Sequence, residues 1–131
     1  MYTPAKTIND LIKNSPHSEL LKEVDEFVTS KIDLDRHLFD NGKTFSSIAF
    51  GRLGEETNKD YADAGIINIA SQKNYVALYI WSGGGGNGIL DSHDDVLPKT
   101  SHNKGCLYIK NSEFLEEYQD VISDILEEAL K

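Results

Sequence analysis

Apolar residues recur along the chain with two periods, and the switches between those periods outline the elements. From Ser18 the spacing of Leu20, Leu21, Val24, Phe27 and Val28 is helical, with Glu19, Glu23 and Glu26 on a separate stripe. Upstream, residues 7–11 predict a short helix capped by Thr7, with Asp10 near its positive end, followed by a turn at Asn14-Ser15-Pro16. Residues 32–39 fit either a strand or a short helix. Asp40-Asn41-Gly42-Lys43 marks a turn, because Asn-Gly supplies the positive φ angles of a tight hairpin. Residues 45–50 and 66–70 then read as strands, with a polar loop over 51–63 between them. The strongest strand is YVALYIW, residues 75–81; apolar on both alternations, it predicts a central strand covered on one face and partly on the other. Residues 106–110 form another strand. Ser112 then reads as the N-cap of one long helix, residues 113–130, with Phe114, Leu115, Tyr118, Val121, Ile122, Ile125, Leu126 and Ala129 on its apolar stripe.

The order is helix, strands, helix, and short turns between strands favour antiparallel pairing. The expected fold is α+β, an antiparallel sheet with the N- and C-terminal helices packed on one face. No repeat or linker interrupts the chain, and 131 residues suit a single domain spanning 1–131.

Charge narrows the classes of partner. The chain carries 22 acidic and 13 basic side chains, a net charge of −9 that repels a phosphate backbone, and no basic patch offsets it. Nucleic acid is therefore not an expected partner. No apolar run is long enough to cross a bilayer, and the first residues lack a signal-peptide core. With the single cysteine, Cys106, unable to form an internal disulfide, the expectation is a cytoplasmic protein.

The stretch SGGGGNGILDSHDD, residues 82–95, draws attention next. Gly83, Gly85 and Gly88 satisfy G-x-G-x-x-G after a predicted strand. A dinucleotide site also needs a following helix and an acid about 20 positions on. Here Pro98 comes soon after, and the residue at that distance is Tyr108. Ile89 and Leu90 stand where a P-loop requires Lys and Ser/Thr. The glycines read as a flexible connection.

Asp91, His93, Asp94, Asp95 and, across a turn, His102 combine carboxylates with imidazoles, a donor set that suits Fe(II), Mn or Zn. Their spacing matches no strict motif, and solvated acids in a capped turn account for the same pattern. Lys73, Lys99 and Lys104 flank the central strands, near enough to turns to hold a small anionic ligand or simply to be solvated. Cys106, inside a predicted strand, reads as a packed thiol rather than a nucleophile. His37 beside Arg36 is a weak acid–base signal, and no serine sits on a nucleophile elbow, so the chain is not expected to be an enzyme.

Three stretches, YTPAKTINDLI (2–12), ASQKNYVALYI (70–80) and LPKTSHNKGCLYIK (97–110), resemble the YdhG-like family of small bacterial cytoplasmic proteins. The similarity spans nearly the whole chain and implies a YdhG-like or frataxin-like sandwich. Some members are described as frataxin-like iron chaperones, so the resemblance implies iron as cargo and iron–sulfur assembly proteins as partners. The chain departs from the pattern at IAFGRLGEETNKDYADAG (48–65), where a Gly-Tyr-rich segment is usual, and at the glycine loop. No metal ligand carries over by motif. Lys73, Asn74, Tyr75, Lys99, Lys104, Gly105 and Cys106 carry over by position, without an assigned role. Two expectations follow: an iron carrier, and a binding module for a small anionic ligand or a protein partner.

Overall fold

The computed structural model describes residues 3–52, 63–81, 90–93, 95–103 and 105–130. The glycine loop, most of the polar loop after residue 51, Asp94 and Lys104 lie outside the described residues, as does the side chain of Asp91. Helix α1 (Ile8–Asn14) starts where Thr7 accepts a hydrogen bond from the Asp10 N–H at 3.0 Å. The chain turns at Ser15-Pro16, and α2 (Ser18–Lys31) begins after His17, whose φ of 56° lies in the left-handed region. That backbone is held by contacts to a distant turn: the His17 Nε2 is 2.8 Å from the Lys73 carbonyl oxygen, and the Ser71 hydroxyl donates to the Pro16 carbonyl.

Among the described residues five strands follow: β1 (Arg36–Asp40), β2 (Ser46–Phe50), β3 (Ile67–Ser71), β4 (Val76–Ile80) and β5 (Cys106–Ile109). They pair in sequence order, every neighbour antiparallel, as short connections dictate. The ambiguous residues 32–39 divide: Ile32 ends α2 through its N–H to the Val28 carbonyl, and the strand starts at Arg36. The Asn-Gly signal lies in a longer connection than a tight hairpin. Only Gly42 takes a positive φ, while the Asn41 side-chain oxygen accepts the N–H groups of Lys43, Thr44 and Phe45. YVALYIW supplies β4, an interior strand between β3 and β5, although β3 occupies the middle of the sheet.

The C-terminal helix differs from expectation at both its start and its middle. Asn111, not Ser112, is the N-cap, accepting from the Phe114 N–H at 2.8 Å. Ser112 is the first helical residue and donates its hydroxyl to Glu23 on α2. The single long helix is divided at Tyr118 into α3 (Ser112–Glu117) and α4 (Gln119–Ala129). Backbone bonds from Tyr118 to Phe114 and from Ile122 to Tyr118 persist across the junction, so one apolar stripe runs through both pieces.

Strand register sets the layers. Ile48, Ile69, Leu78 and Leu107 are successive cross-strand partners and share a face. They join Leu11, Leu21, Val24, Val28, Ile122, Ile125 and Leu126 in one buried cluster, so both helical ends of the chain cover the same side of the sheet. On the reverse side Phe39, Ala49 and Ala64 are buried with Phe45 and Trp81 beside them. Asn68, fully buried there, closes a turn by binding both the N–H and the carbonyl of Gly65. Glycine is required at that turn, since a Cβ on residue 65 would lie 2.4 Å from the Ile67 carbonyl oxygen.

Candidate functional site

The buried stripe of α2 comprises Leu20, Leu21, Val24, Val28 and one carboxylate, Asp25. Asp25 is 5% exposed. An unpaired ionised carboxylate there would cost several kcal/mol, so its presence demands a partner. Arg36, at the start of β1, provides it: Nε donates to Oδ1 at 2.9 Å and Nη2 to Oδ2 at 2.5 Å. The hydrogen bond to Asp25, assisted by its charge, holds the Arg36 guanidinium above its ordinary pKa against an opposing effect of burial. Thr29, one turn along α2, has its hydroxyl 3.5 Å from Oδ1.

This fork uses the Nε–Nη2 edge of the guanidinium and leaves the outer edge, with Nη1, unoccupied among the described residues. The Arg36 side chain remains 35% exposed. It borders a cavity of about 650 Å³ between α1 and α2. Asn9, Ile12 and Lys13 line it from α1; Lys22, Glu26 and Thr29 line it from α2 beside the ion pair. Those positions recur three and four apart, so each helix turns one stripe into the cavity. Neither Lys13 nor Lys22 has an ion-pair partner among the described residues.

The residues singled out by sequence lie elsewhere. His93, in a 3₁₀ turn (Asp91–His93), has Nε2 3.2 Å from Oε1 of Glu128 on α4. His102 has Nδ1 3.3 Å from the Ser101 hydroxyl and its backbone bridges to Leu107. Among the described residues the two imidazoles meet different side chains, and Asp95 is exposed. Among these residues no three His, Cys, Asp or Glu side chains converge as a metal site. Lys73 and Lys99 are exposed at turns and do not border the α1–α2 cavity. Arg36 and His37 do not act together: Arg36 reaches Asp25, whereas the His37 Nε2 is 2.7 Å from the Asp63 carbonyl oxygen. Successive strand residues point to opposite faces, which separates them. Cys106 is buried, and burial pushes its thiol up to about 12, the behaviour of a packed thiol.

Sequence reasoning missed the Asp25–Arg36 pair and the lysines beside it. A signal was available: an aspartate three residues before Val28 and four after Leu21 falls on an apolar helical stripe. Its partner, 11 residues on, was not readable from spacing. Comparison with models of protein families, with curated proteins and with solved structures gives no match.

No helix among the described residues is long and apolar enough to cross a membrane.

Proposed function

We propose that this chain is a non-enzymatic binding module whose ligand site is the groove between α1, α2 and the start of β1. The observation that carries this reading is the buried carboxylate of Asp25 holding the Arg36 guanidinium at the edge of the cavity. A buried ion pair is a poor device for stability, since apolar side chains of similar volume often serve as well or better. Its distinctive effect here is to fix a cation in a set orientation beside a cavity. The same pairing supports binding rather than chemistry as the role of this groove: both carboxylate oxygens of Asp25 accept from Arg36.

We read the two-layer arrangement as a YdhG-like or frataxin-like sandwich, a reading supported by the order of its helices and strands. The iron-carrier role implied by that resemblance would rest on surface carboxylates, with Asp91, His93, Asp94, Asp95 and His102 as the candidate donors read from the sequence. Of these, His93 is the one with a described carboxylate partner, Glu128. The groove has more observations behind it. Screening small fragments by amide shift mapping tests the choice. Shifts should gather in residues 9–13, 22–30 and 36, and binders that shift only other regions would remove the groove as the site.

A further inference from the structure

Resting on that reading, we propose that the groove takes a small molecule through a carboxylate or phosphate group seated on the outer edge of Arg36, with Lys13 and Lys22 supplying further positive charge. A guanidinium has five N–H donors in a planar fork. Asp25 takes one from Nε and one from Nη2, which leaves Nη1 and the second Nη2 hydrogen as a parallel pair facing away from the buried carboxylate. Such a pair matches two oxygens of a carboxylate or phosphate.

The surroundings favour the same chemistry. Lys13, Lys22 and Arg36 line the cavity against Asp25 and Glu26, so the groove is locally cationic in a chain of net charge −9. Asp25 already neutralises Arg36 on its inner edge, and the two lysines have no ion-pair partner among the described residues. A volume of about 650 Å³ suits a small molecule, and the half-buried Ile12 offers apolar contact for its body. The acidic surface opposes long polyanions, which must cover more than this groove. Asp25 is a positioning residue: it sets the plane of the guanidinium and does not meet the ligand.

The experiment titrates inorganic phosphate and, separately, succinate into the full chain, following amide shifts and the Arg36 Nε–H signal at low salt. Wild type should respond to at least one of them, with shifts in residues 9–13, 22–30 and 36. The Arg36→Lys variant keeps the charge but loses both edges of the fork, and should bind about tenfold more weakly. A Lys13→Gln/Lys22→Gln variant, altered only at exposed positions, should bind a few-fold more weakly and lose most of its salt dependence. Response to phosphate alone or to succinate alone supports the proposal and fixes the group recognised. Equal affinity in wild type and Arg36→Lys overturns it. If neutral fragments shift the groove while neither anion does, the anion proposal fails and the binding-module reading survives. If nothing shifts the groove, both fail.

Discussion

Two contacts between a carboxylate and a nitrogen base contrast in almost every respect. Asp25 and Arg36 meet through two hydrogen bonds, one partner buried and the other part-exposed, and both sit on regular elements. His93 and Glu128 meet through one contact of 3.2 Å, with Glu128 40% exposed and His93 in a single 3₁₀ turn. The first pair is drawn together from a helix stripe and a strand end. The second belongs to the stretch where candidate ligands crowd the sequence. Crowding along the chain did not bring the described donors onto a common centre, whereas separated residues on packed elements share one cavity. Convergence follows the fold, because a packed helix and sheet fix directions that a short turn leaves to local geometry.

The largest expected effect tests the claim that the first contact is structural as well as positional. Asp25→Ala leaves Arg36 without its buried partner and should destabilise the fold by about 3 kcal/mol, the lower part of the range for broken buried pairs because Arg36 is partly solvated. Urea unfolding measures it. A loss below about 1 kcal/mol would place this pair with ordinary surface ion pairs and erase the contrast. The Asp25→Leu/Arg36→Met double variant should recover most of the stability, since it restores the apolar stripe, while losing the guanidinium.

Alkaline pH offers the next largest effect and a control lying outside both contacts. Burial raises the Cys106 thiol from 9.0 to about 12. A folded-state pKa above the unfolded one means that the folded chain holds its proton longer. The associated stability is complete below pH 9 and is lost as pH climbs towards 12. Tyr79, raised from 10.0 to about 12 chiefly by burial, acts in the same direction. Unfolding free energy should therefore fall by a few kcal/mol across this window, and Cys106→Ala should flatten the decline. An unchanged slope in that variant would show that the thiol is not the group responsible.

Much of this architecture was legible in the sequence. Leu20 to Val28 at helical spacing and the apolar run YVALYIW gave α2 and β4, because burial on a stripe or on a pleated face leaves a periodic mark. Thr7 and the packed state of Cys106 were readable for the same local reasons. Asn111 and Ser112 were not separable, since both are good caps and the choice depends on which side chain Glu23 engages from another helix. The candidate site was barely legible. Asp25 stood on an apolar stripe as a visible anomaly, but only the turn from α2 into β1 brings Arg36 to it. Lys13 and Lys22 look like any solvated lysines until α1 and α2 lie side by side.

A smaller effect bears on the second contact alone. His93→Ala removes a single, half-solvated interaction and should change stability by less than about 1 kcal/mol, measured in the same urea series. A cost approaching that of Asp25→Ala would mean that the turn is anchored by His93, and the contrast between the contacts would narrow.

The smallest expected effect concerns metal. Imidazoles coordinate only when neutral, so a site built on histidine loses affinity as pH falls through about 6.5, whereas carboxylates hold their charge to about pH 4. Among the described residues His93 meets Glu128 and His102 meets Ser101, and no three candidate donors converge. Anaerobic Fe(II) titration of wild type and the His93→Ala/His102→Ala variant should therefore give affinities within about twofold of each other at neutral pH. The wild-type curve should show no added loss between pH 7.5 and pH 5.5 relative to the variant, in line with the general titration range of histidine. Tight binding by wild type that vanishes in the double variant would instead make residues 91–102 a metal centre. The lesson drawn from the two contacts would then hold for the groove and fail for the histidines.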